Sequence, residues 1–159
     1  MKAGKKDKAI EIAKKLAVSK GEHSLEDAGP IFDTIGEKEQ ARQQFLRAAN
    51  KYSEEARSNS SKRFSAARMW EAAEEYDKAA QIFADIHSYF DAANNWYRAG
   101  DNVKAQEAME RFEDLAAHDD SYARFMSREG AYYKELRQSR IMEAKRLRSK
   151  IRRVNKKIS

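Results

Sequence analysis

No cysteine occurs in this chain of 159 residues. Disulfides, a thiol nucleophile and thiolate metal ligands are therefore excluded, and the chain suits a reducing compartment. Proline appears once, at Pro30, and glycine six times, so few positions force a helix to stop. Alternating β-branched runs are lacking, which argues against a sheet. No apolar stretch approaches the ~20 residues that cross a bilayer. The opening run MKAGKKDKAIEIAKKLAV is basic and mildly apolar, but Glu11, Lys14 and Lys15 interrupt it. We read it as an amphipathic helix and not a secretory signal, and we expect a cytoplasmic chain. His23, His87 and His118 are isolated, without metal-site spacing. Phosphate-cradling glycine loops and a GxSxG turn are missing too. We therefore expect no catalytic, cofactor-binding or metal-binding residue, and a non-enzymatic role.

What the chain has is helix-forming residues and an uneven charge. The net charge of +6 is the balance of three different thirds. Residues 1–60 carry 12 basic and 10 acidic side chains, residues 61–120 carry 7 and 13, and residues 121–159 carry 13 and 3. An acidic middle followed by a strongly basic end points to an interaction tail.

The middle is also repetitive. FSAARMWEAAEEYDKAAQIFADI at 64–86 aligns with FDAANNWYRAGDNVKAQEAMERF at 90–112, an offset of 26. Seven positions are identical: Phe64/Phe90, Ala66/Ala92, Ala67/Ala93, Trp70/Trp96, Ala73/Ala99, Lys78/Lys104 and Ala79/Ala105. Each copy has a bulky aromatic, a polar break and an alanine-rich second half, as stacked helical hairpins do. Small residues let helix backbones approach, and Trp70, Phe83, Trp96, Met109 and Phe112 fill the space between them. A degenerate first copy, DAGPIFDTIGEKEQARQQF at 27–45, matches 91–109 at an offset of 64.

The elements follow from period and punctuation. Ile10, Ala13, Leu16 and Ala17 predict a first helix over 5–19, ended by Lys20-Gly21. Ser24 offers an N-cap, and Pro30 either starts a helix or kinks one already running. A helix over about 38–57 completes the first hairpin, and the Ser58–Ser61 loop that follows offers an N-cap for the next helix. The second is predicted over 62–87 with a turn near Glu75–Asp77, the third over 88–117 with a turn at Gly100-Asp101-Asn102. Gly36 and Gly100 suit a helix end with positive φ, whereas Glu74 holds the corresponding place in the second copy and suggests a milder bend there. The polar run His118–Ser121 separates this array from the last segment, which is either a fourth hairpin or a long helix interrupted at Gly130. The expected organisation is an N-terminal amphipathic helix (1–20), a helical-hairpin repeat domain (21–120) and a basic C-terminal helix (121–159). The expected fold is all-α, a short array of antiparallel hairpins ending in that helix.

WEAAEEYDKAAQIF and WYRAGDNVKAQEAM resemble the hairpins of the tetratricopeptide-like superfamily, especially those of soluble NSF-attachment proteins and of coat and intraflagellar-transport subunits. The resemblance covers roughly residues 24–118. It implies an α-solenoid of antiparallel helix pairs that presents a surface to another protein, as a scaffold or adaptor does.

Two candidate surfaces follow. Asn94, Asn95 and Arg98 share the helix of Trp96. If Trp96 points inward, Asn95 and Arg98 face outward, as does Arg68 in the second copy, and these residues line a recognition surface or are ordinary solvated positions. The acidic turn residues Glu71, Glu74, Glu75 and Asp77 read as a solvated face. In the tail, Ala144, Leu147, Ile151, Val154 and Ile158 are spaced 3, 4, 3 and 4 apart, a narrow heptad-like seam. Arg146, Arg148, Lys150, Arg152, Arg153, Lys156 and Lys157 surround it. Such a helix suits RNA, an anionic membrane or an acidic protein groove. The plainer alternative is a capping helix whose seam covers the last hairpin. The leading expectation is a protein partner bound by the hairpins, with the basic helix as second contact. RNA or ribonucleoprotein binding through that helix is the alternative.

Overall fold

The computed structural model describes residues 3–18, 24–118 and 130–158, with side chains over 4–18, 26–115 and 142–156. The described residues form an all-α structure of eight helices. They are α1 (Ala3–Val18), α2 (Ser24–Thr34), α3 (Lys38–Glu55), α4 (Lys62–Ala72), α5 (Tyr76–Asp85), α6 (Tyr89–Ala99), α7 (Asn102–His118) and α8 (Gly130–Ile158). The chain divides into two compact units, Met1–Ile82 and Phe83–Ser159, with the boundary inside α5.

In the first unit each helix packs on the next, α1 on α2, α2 on α3 and α3 on α4. One core cluster joins Ala13 and Ala17 of α1, Ala28 and Phe32 of α2, Ala41 and Phe45 of α3, and Ala73. A second joins Ala48, Tyr52 and Ala66, with Met69 and Ile82 packed against it. Sixteen of the 26 buried apolar residues described in the whole chain are alanine, so the helices are spaced by methyl groups and a few large rings fill the gaps. Gly29 takes this furthest: a Cβ there would overlap the Phe45 ring. In the second unit α6 packs on α7 and α7 on α8. Such sequential pairing of short helices is consistent with a helical-repeat arrangement.

One turn recurs at the ends of α2, α4, α5 and α6. The carbonyls of Phe32, Trp70, Phe83 and Trp96 accept the N–H of the fifth residue on: Glu37, Glu75, Ser88 and Asp101, at 2.8–2.9 Å. Inside each loop a second bond runs from Gly36 to Asp33, Glu74 to Glu71, His87 to Ala84 and Gly100 to Tyr97. These two bonds define a Schellman end, whose penultimate residue must be left-handed. Gly36, Glu74, His87 and Gly100 have φ of 85°, 63°, 61° and 89°. The last residue of each loop also opens the next helix, because its carbonyl accepts from Ala41, Ala79, Ala92 or Ala105. The helix therefore reverses within three residues. Trp70, Phe83 and Trp96 stand 13 apart, so the 26-residue sequence repeat is two of these steps.

Several expectations need correction. Glu74 does not soften its turn; it adopts the same left-handed geometry as the glycines. The second hairpin turns at residues 73–75, before the Glu75–Asp77 position predicted, because the left-handed residue sets the reversal. Of the two readings of Pro30, a helix start is excluded: it is the seventh residue of α2, within a helix already running. Ser61 contributes no side-chain cap to α4; instead Asn59 Oδ1 accepts from the Ser61 amide at 3.1 Å and from its hydroxyl at 2.7 Å. The stop expected at Lys20-Gly21 and the segment 119–129, where a fourth hairpin was one expectation, lie outside the described residues.

Candidate functional site

Trp70 and Trp96 are both core residues, each 8% exposed. The Trp70 indole donates to Ser53 Oγ at 3.1 Å, tying α4 to α3. Lys78 covers its ring, and Lys104 covers that of Trp96. Each lysine also meets the acid of the preceding turn, Glu75 at 3.2 Å and Asp101 at 3.0 Å. The lysine shared by the two copies is thus a lid on the tryptophan of the same turn. Arg42 braces the second turn from α3: its Nε donates to the Ala73 carbonyl at 3.1 Å and its Nη2 to Glu75 at 2.7 Å. In the fourth turn the Lys104 N–H, and then its ammonium, hold the Asp101 carboxyl below its ordinary value of 3.8.

The four residues expected on one recognition surface are not alike. Arg68, in the first unit, is half-buried, 2.8 Å from Glu71 and stacked 5.1 Å over Phe64. In the second unit Arg98 is exposed and Asn94 half-buried. Asn95 is fully buried, contrary to expectation, and donates to the Asp91 carbonyl at 3.0 Å. The reason is the width of the buried face. Residues 91, 92, 93, 95 and 96 of α6 are all buried, an arc of about 200° at ~100° per residue. Asn95 falls inside this arc, whereas Asn94 and Arg98 fall outside it and, four apart, share one side.

The first three residues of the tail seam are covered, Val154 is half-buried, and the side chain of Ile158 lies outside the described residues. Ala144 and Leu147 are 6% exposed and Ile151 1% exposed, on the helix that packs against α7. Two polar contacts pin the same edge: Arg148 to Glu113 at 2.7 Å and Asn155 Nδ2 to Gln106 Oε1 at 2.9 Å. A cleft between them, lined by Gln106, Met109, Glu110, Arg148, Ile151 and Arg152, holds about 30 Å³. That is room for roughly one water and no larger ligand. Arg148 therefore belongs to the α7–α8 contact. Arg146, Lys150, Arg152, Arg153 and Lys156 are exposed, as is Lys145, which the sequence reading passed over. The side chain of Lys157 lies outside the described residues. Among the described residues no group of three or more His, Asp or Glu is placed to hold a metal ion, and no helix is long and apolar enough to cross a membrane.

No protein-family model, curated protein or solved structure matches the chain.

Proposed function

We propose that the chain is a non-enzymatic scaffold or adaptor of tetratricopeptide-like hairpins that binds a protein partner, with the charged face of α8 as a second contact. The observation that carries this reading is the recurrent Schellman turn. It spends the aromatic and alanine positions on packing between consecutive helices and leaves outer helix faces, such as that of Asn94 and Arg98, for recognition. Repetition of one supersecondary unit is how solenoid proteins build extended binding surfaces.

The test is affinity capture by the full chain from a nuclease-treated extract, compared with an Asn94→Ala/Arg98→Gln double variant. The expected result is a protein retained by the wild type and weakened at least about tenfold by the variant, equivalent to ~1.4 kcal/mol, with unchanged melting. Equal retention by both chains counts against α6 as the binding face. A second reading, RNA or ribonucleoprotein binding through α8, is favoured by the six exposed cations outside its buried seam.

A further inference from the structure

The apolar side of α8 is already used. Ala144, Leu147 and Ile151 are buried, and Arg148 and Asn155 bond to α7 beside them. From Lys145 onward what remains outward is cationic apart from Ser149; Met142 and Glu143 before it are exposed as well. At ~100° per residue, Lys145, Arg152 and Lys156 form one row and Arg146 and Arg153 a second beside it, both opposite the seam, while Lys150 flanks the seam on the Leu147 side. All six are exposed, and none is paired with a carboxylate among the described residues. Together the six cations run about 16 Å along the helix at 1.5 Å per residue, and no acidic residue follows Glu143 in the chain.

From this arrangement we infer that the outward face of α8 docks the sugar-phosphate backbone of double-stranded RNA, without reading its sequence. The inference rests on the second reading above and specifies its ligand. An amphipathic helix binds a membrane, or a protein groove, by its apolar stripe, and here that stripe faces α7. Single strands are held largely by stacking bases on aromatic rings; the described outward face of α8 has Lys, Arg, Ser149 and, at its start, Met142 and Glu143, but no aromatic residue. It also lacks outward Asn or Gln in these rows, the residues that pair with adenine edges. α8 lies along α7, with its exposed residues spread over about half its circumference. The A-form minor groove is wide and shallow, and its phosphates and 2′-hydroxyls are within reach of a helix lying on a surface.

The test is fluorescence anisotropy of the full chain with short RNA duplexes of two unrelated sequences across a salt series. Affinities are expected to agree within about twofold between sequences and to fall roughly a thousandfold from about 50 to 200 mM salt, as for about six phosphate contacts. Arg146→Glu/Arg152→Glu/Arg153→Glu is expected to abolish binding with an unchanged circular-dichroism melt. The milder Lys145→Gln/Lys150→Gln/Lys156→Gln is expected to retain binding but lower the log–log salt slope by about 2–3. Equal or tighter binding to single-stranded RNA overturns the duplex inference and leaves the RNA reading standing. Equal or tighter binding to duplex DNA, polyglutamate or phosphatidylserine vesicles overturns the choice of RNA. Failure to bind any RNA at low salt removes both the inference and the reading beneath it.

Discussion

The Lys78 ammonium lies 4.4 Å from the centroid of the Trp70 ring. Lysine and tryptophan are eight residues apart, on opposite sides of a helix reversal, so the contact exists only because the turn folds α5 back. A cation over an indole face at a part-exposed site is worth about 0.5–1 kcal/mol. Lys78→Met keeps the aliphatic stem over the ring and removes the charge. We expect it to lower stability by about that amount in urea unfolding. A loss no larger than in Lys51→Met, where the lysine sits 4.0 Å from Glu55 on the surface of α3, counts against the lid.

The tryptophans themselves carry far more. Trp96 is 8% exposed and flanked by Ala92 and Ala93. Trp96→Ala is expected to cost about 3–5 kcal/mol, the range for a large buried aromatic. A melt within a degree or two of wild type contradicts its place in the core.

The turns make an asymmetric pair of expectations. Glu74, with φ of 63°, occupies a left-handed position where a Cβ is strained. Glu74→Gly is expected to stabilise by about 0.5–1 kcal/mol, the strain relieved less the added chain entropy. Gly100 has φ of 89°. Gly100→Ala is expected to destabilise by about 1 kcal/mol. Chemical denaturation of both variants checks the signs; the same sign for both breaks the shared-turn account.

The seven identities at an offset of 26 made the hairpins and their aromatic core legible from sequence, because Trp and Ala at matched positions leave few packing choices. The left-handed state of Glu74 and His87 was not legible, since neither residue type announces it. It was still implied by phase: Glu74 aligns with Gly100. The shared lysine was seen in both copies without a role, because its target lies across a turn. Asn95 was misplaced because an inward Trp96 was taken to define a narrow stripe, whereas α6 is buried over a wide arc. The tail's seam was read correctly as apolar, but a sequence does not say whether a seam meets its own chain or another.

Acid should separate Asp101 from its substitute. Its carboxyl is held below 3.8 in the folded chain, chiefly by the Lys104 amide and then by the Lys104 side chain. A lowered folded value adds stability that is complete above 3.8 and fades as pH falls through the folded value. Asp101→Asn keeps a capping oxygen without the charge. The variant is expected to melt below wild type at neutral pH, and the gap to close only in strong acid. A gap independent of pH assigns the loss to packing instead.

Under the proposed function α8 has two separate faces, one that builds the fold and one left outward to bind. Urea unfolding of Leu147→Ser/Ile151→Ser beside Arg146→Glu/Arg152→Glu/Arg153→Glu tests it most directly. The seam pair is expected to lose about 3 kcal/mol or more, as for truncation of buried aliphatic side chains, and the charge triple to stay within about 0.5 kcal/mol of wild type. Loss of stability in the charge triple, with the seam pair unaffected, contradicts the account.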